Sequence, residues 1–248
     1  MSSLHYLFGM RCIHCLEESA VTNEDHVFPD SWYPDTTPPN ITKWTAPSCI
    51  ECNTKLGNDE DFLFSRLALS ARPDIPASSG LANRALRIFG VRAKSKDPKE
   101  LARREKYRLK IVEEINSFCG EHKRIASTVN VSPSHGPAMP IKGEVLERVY
   151  RKIIHGCEYI MGSKRYIDPP YELRMFDSAS TAAFEEVSQN ASPLAPLGPG
   201  FEIKRLRSTE DPLSVFYVVT IWDTFRIYAL IADPVLMGAA TTTSDRDP

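Results

Sequence analysis

The sequence predicts an α+β protein, and three patterns predict it: two Cys-x-x-Cys pairs near the start, apolar residues every three or four positions over 146–161, and β-rich runs from 171 onward. These patterns divide the chain into residues 1–70, a cysteine-bracketed module; 71–140, a basic linker and helix; and 141–248, a helix packed on a small antiparallel sheet.

Taken in order, Tyr6, Leu7 and Phe8 can form a short strand against the first cysteine pair. The stretch EDHVFPDSWYP places β-branched and aromatic residues around His26 and then Pro29 and Pro34, which fits a short strand running into a loop. Residues 35–48 read as a proline-rich loop. From Cys49, CIECNTKL opens a helix that meets a breaker at Gly57 and resumes through DFLFSRLAL.

Residues 71–96 read as a linker with one short helix, LANRALRIFG. Asp97 and Pro98 suit the N-cap and first position of the next helix, along which Leu101, Ile111, Ile115 and Phe118 supply a narrow apolar stripe. After a Pro, Ser and Gly-rich loop, KGEVLERVYRKIIHGCEYIMG is an amphipathic helix ending near Gly162. Then YELRMF, FEIKRLR, LSVFYVVTIW and FRIYALIA read as strands, the last two joined by a tight turn around Asp223. The tail TTTSDRDP is expected to fray.

Six cysteines could form three disulfides, but the N-terminus lacks the features of a secretory signal. No apolar run reaches the roughly 18 residues of a spanning helix. A cytoplasmic chain without a membrane segment is therefore expected, with Cys12, Cys15, Cys49 and Cys52 on a metal. Four thiolates from two such turns complete the tetrahedral shell of Zn²⁺ and leave it no position for water, so this zinc is expected to be structural. Cys119 and Cys157 are expected to be small buried hydrophobes, and His14, between two ligands, is expected to be exposed; His5, His122, His135 and His155 carry no partner spacing and read as structural or solvent-facing.

Between the cysteine pairs lie Asp25 and His26, and Asn53 directly follows the second pair. An imidazole is largely neutral at pH 7 and can take a proton from water. A carboxylate and an amide are oxygen ligands of the kind that Mg²⁺ accepts while keeping sites for water and phosphate. This set suits phosphodiester hydrolysis, with His26 as general base and Asp25 with Asn53 holding Mg²⁺ or Mn²⁺. Strand alternation puts Glu24 and Asp25 on opposite faces; Asp25, adjacent to the base, is the favoured ligand.

Residues 12–58 resemble the zinc-containing HNH, or ββα-metal (His-Me finger), endonucleases, in which an Asp/Glu-His pair lies between two Cys-x-x-Cys knuckles and an Asn follows the second. The resemblance covers about a fifth of the chain and implies a ββα-metal module making a Mg²⁺-dependent cut or nick in DNA. It also implies a central Asn that braces the loop, for which Asn40 is the candidate, although its spacing from Cys49 is longer than the family commonly shows.

Charge is distributed unevenly. Residues 1–70 hold 4 Lys/Arg against 10 Asp/Glu, 71–170 hold 20 against 11, and 171–248 hold 6 against 11. A DNA grip is therefore expected in the middle of the chain, through Arg84, Arg87, Arg103, Arg104 and Arg108, with Lys55 near the site. Two other readings fit the same residues: a non-catalytic zinc-ribbon module that binds nucleic acid or protein, and a nuclease subunit activated by a protein partner or ligand at the C-terminal part.

Overall fold

The computed structural model describes residues 10–19, 22–72, 74–88, 97–99, 101–103, 105–106, 108–110, 112–113, 141–176, 189 and 197–235. The expected strand at Tyr6–Phe8, Arg104, Cys119, the histidines 5, 122 and 135, the end of the basic helix and the tail lie outside these residues.

A two-stranded knuckle comes first, β1 (Met10–Arg11) paired antiparallel with β2 (Glu18–Ser19). A second antiparallel pair follows, β3 (Thr22–His26) with β4 (Thr45–Cys49), in a register that sets Asp25 opposite Ala46 and His26 opposite Thr45. The long connection between them carries a 3₁₀ turn at Asp30–Trp32. The proline-rich stretch expected to be loop throughout thus ends as strand β4; Pro47 sits inside it, and the pair has only two strands, so no neighbour demands the missing N–H.

β4 runs straight into helix α1 (Ile50–Ser70), which is continuous. Gly57 does not interrupt it: an interior glycine costs only about 1 kcal/mol relative to alanine, and the burial of Leu56, Leu63, Phe64 and Leu67 outweighs that. Helix α2 (Leu81–Ile88) lies within the expected segment and packs on α1. At the basic helix, the Asp97 carboxylate accepts from the backbone N–H of Lys99 at 2.9 Å, the expected N-cap, and Leu101 is exposed; Ile111, Ile115 and Phe118 of the expected apolar stripe lie outside the described residues.

Helix α3 (Gly143–Met161) packs on α1 and on the C-terminal sheet, whose strands β5 (Glu172–Phe176), β6 (Phe201–Arg207), β7 (Val215–Ile221) and β8 (Phe225–Ala232) are antiparallel in the order β5-β8-β7-β6. β7 and β8 meet at the expected tight turn, where Trp222 and Asp223 both take left-handed backbone angles, φ +53° and +52°. One apolar core runs from Ile13, Val27, Phe28 and Trp32 through Leu63 and Phe64 of α1 to Val149, Ile153 and Cys157 of α3 and Val219, Ile227 and Ile231 of the sheet. Phe28 stacks on Phe201 with ring centroids 4.1 Å apart, so the cysteine-bracketed module and the sheet share side-chain contacts.

α3 is also anchored by charge. The fully buried Glu158 accepts from both Arg205, at 3.0 and 3.1 Å, and Arg165, at 3.1 Å, and from the Tyr217 hydroxyl. Asp59 of α1 takes a bidentate contact from Arg148 at 2.7 and 3.0 Å. Among the described residues no helix is long and apolar enough to cross a membrane.

Candidate functional site

The four cysteines come together from two elements. The turn between β1 and β2 presents Cys12 and Cys15, with Leu16 in a left-handed conformation that lets the chain double back, and the β4–α1 junction presents Cys49 and Cys52. Cys49 is the N-cap of α1, its sulfur accepting from the backbone N–H of Cys52 at 3.4 Å; the Cys12 sulfur likewise accepts from the N–H of His14 at 3.4 Å. All four sulfurs lie within 4.8 Å of one another, and Cys15 Sγ is 3.9 Å from Cys49 Sγ. A ZnS₄ tetrahedron with bonds of about 2.3 Å has edges of about 3.8 Å, so the cluster has the size and chemistry to hold zinc.

The thiols respond to this crowding differently. Burial raises Cys12, yet backbone hydrogen bonds at Cys15, Cys49 and His14 outweigh it and leave that thiol below its ordinary range. Burial and the neighbouring sulfurs push Cys15 and Cys52 up. A divalent cation among the four would remove that mutual repulsion.

Asp25 and His26 point to opposite sides of β3. His26 is half-exposed, with Nε2 3.5 Å from Asp30 Oδ1. Asp30 also accepts from Lys43 Nζ at 2.8 Å; burial raises its carboxyl, but Lys43 and the His26 charge outweigh burial and hold it below the usual range. Beside them lies a groove of about 380 Å³ bordered by Asp30, Tyr33, Asp35, Lys43 and Arg84. Glu24 is exposed on the His26 face.

Asp25 is 8 % exposed and faces the interior, where Oδ1 accepts from Lys152 Nζ of α3 at 3.0 Å. The same ammonium, on a residue 3 % exposed, also contacts Glu60 of α1. Asp25 Oδ2 lies 3.7 Å from His14 Nε2, and neither atom has a hydrogen-bond partner. His14, expected to be exposed, is therefore largely enclosed, and its ring centroid is 6.2 Å from that of His155.

The expected Mg²⁺ between Asp25 and Asn53 does not fit this arrangement. The cation would need oxygen ligands at about 2.0–2.1 Å, and the Asp25 oxygens face Lys152 on one side and His14 on the other. Asn53 is half-buried on the first turn of α1, while Asn40 and Lys55 are exposed.

Of the arginines assigned to DNA, Arg84 is a structural brace, donating to the carbonyls of Ser31 and Tyr33 at 2.6 and 2.8 Å and to Asp35 at 2.6 Å. Arg108 pairs with Glu105, and Arg87 and Arg103 are exposed.

Lys152, Glu60 and Asp30 were absent from the sequence-based site. A lysine three residues after Val149 and seven after Val145, on the buried side of an amphipathic helix, was the available signal for the first. Glu60, seven residues after Asn53, lies on the same helix face two turns on. No protein-family model, curated protein or solved structure matches the chain.

Proposed function

We propose that this protein is a zinc-stapled endonuclease of the HNH type that hydrolyses DNA phosphodiester bonds with His26 as general base. The carrying observation is the order hairpin, cysteine cluster, helix: β3 and β4 lead directly into α1, the four sulfurs tie that junction to the knuckle, and His26 ends β3 on the accessible side, beside Asp30. Zinc, held by Cys12, Cys15, Cys49 and Cys52, supplies rigidity and no reacting group. His26 takes the proton of an attacking water, the new P–O bond forms as the P–O bond to the leaving oxygen breaks, and Asp30 supports the imidazolium that results. Lys43, whose ammonium lies 2.8 Å from Asp30 at the border of the groove, offsets phosphate charge in this reading.

The test is cleavage of supercoiled and linear plasmid by zinc-loaded protein, wild type against His26→Ala, with and without added Mg²⁺ or Mn²⁺. Cleavage by the wild type and its loss in the variant support the reading; a wild type that cuts no DNA form, or a variant that cuts equally well, overturns it. A second reading, a zinc module that binds without cutting, is favoured by the engagement of Asp25 with Lys152. Salt-dependent DNA binding without cleavage would select it.

A further inference from the structure

Asp25 and Glu60 converge on one point from different elements, a strand and a helix that are far apart in sequence, and that point is already filled. Its occupant is the ammonium of Lys152, carried there from α3. A second polar group, His14 Nε2, unpartnered and on a side chain 10 % exposed, looks at the same carboxylate from the knuckle. Two carboxylates around a buried cation, with an imidazole beside one of them, are ligand types that a divalent metal accepts.

We infer that Asp25, Glu60 and His14 form a cation site whose resident cation is the Lys152 ammonium, so that α3 closes the site to divalent metal. An ammonium and a metal ion cannot both occupy it: the two charges would repel at a buried site, and Lys152, 3 % exposed on the buried side of α3, holds its ammonium against both carboxylates. This inference stands apart from the nuclease reading, because metal binding and DNA cleavage are scored by separate measurements.

The experiment titrates zinc-loaded full-length protein with Mn²⁺, read by electron paramagnetic resonance, for wild type, Lys152→Ala and Lys152→Met. Lys152→Met keeps most of the stem volume and carries the test where the alanine variant does not fold. Expected is a Mn²⁺ site in the Lys152 variants at least about tenfold tighter than any in the wild type, roughly 1.4 kcal/mol by the standard conversion. That site should be lost again when Asp25→Asn or Glu60→Gln is added. The inference is overturned if the Lys152 variants bind Mn²⁺ no more tightly than wild type, or if the wild type already shows an equally tight site that Asp25→Asn abolishes. Zinc content measured on the same samples separates occupancy of the cysteine cluster from the new site.

Discussion

Trp222 donates its indole N–H to the backbone carbonyl of Trp32 at 2.8 Å, with the two rings 5.6 Å apart. Trp222 sits at the β7–β8 turn in a left-handed conformation that a bulky side chain rarely adopts, and it is fully buried. The contact ties the tip of the C-terminal hairpin to the 3₁₀ turn that follows His26. Trp222→Ala is expected to cost about 3–5 kcal/mol through the cavity it leaves, and Trp222→Phe about 1 kcal/mol through the hydrogen bond. Urea denaturation of the two variants checks this order.

Zinc removal is expected to loosen the module before the sheet. The hairpin and knuckle meet through the cysteine cluster, whereas β5–β8 are held by their own ladder and by α3. Elemental analysis should find one zinc per chain, lost in Cys12→Ser and Cys52→Ser. Hydrogen exchange after chelation should rise first in β3, β4 and the start of α1.

Stability against pH carries two opposing signs. Burial, against the attraction of Lys152, raises Glu60 to about 7. Unfolded glutamate titrates near 4.3, so Glu60 favours the folded chain fully below about pH 4.3 and loses that contribution as pH rises through its folded value. Burial, assisted by the charges of His14 and Arg151, lowers His155 to about 4. Its contribution is complete above about pH 6.5 and is lost as pH falls toward its folded value. Between these limits each slope reaches at most about 1.4 kcal/mol per pH unit, and the two cancel. Wild type should be flat from about pH 4.5 to 6.5 by these groups; Glu60→Gln should uncover a loss toward acid, and His155→Gln a loss toward neutrality, both read from urea midpoints.

Gly156 is where α3 meets the strand end beside His26. A methyl group there would stand 2.6 and 2.8 Å from the two methyls of Val27. Gly156→Ala is expected to destabilise by about 1–3 kcal/mol through overpacking, and Val27→Ala in the same chain should recover part of that loss. Thermal melts of the single and double variants test the pairing.

Local pattern carried a good deal of this fold. The period of α3, the four C-terminal strands, the Asp97 cap and the turn at Trp222–Asp223 all follow from spacing and turn chemistry, which neighbours in sequence determine. The cysteine cluster was legible because a Cys-x-x-Cys turn announces its own geometry. What spacing could not convey was which side of β3 becomes interior. Asp25 reads as a metal ligand while the chain is considered only as far as Asn53; α3, about a hundred residues further on, covers that face and supplies Lys152. The bracing contacts of Arg84 were hidden in the same way: its partners are carbonyls of Ser31 and Tyr33, and no side-chain pattern reports a carbonyl that a loop turns inward.

The four sulfurs do not share one environment: Cys12 is sealed, Cys49 and Cys52 are intermediate, and Cys15 is exposed. An oxidant, alkylating reagent or chelator therefore meets Cys15 first. Loss of a metal from the cluster is then expected to be sequential, beginning at the rim of the knuckle, with the Cys49–Cys52 helix turn retaining its hold longer and Cys12 released last. Such a staple has a direction of failure, and mass mapping of alkylated thiols over time would read it as an order of labelling.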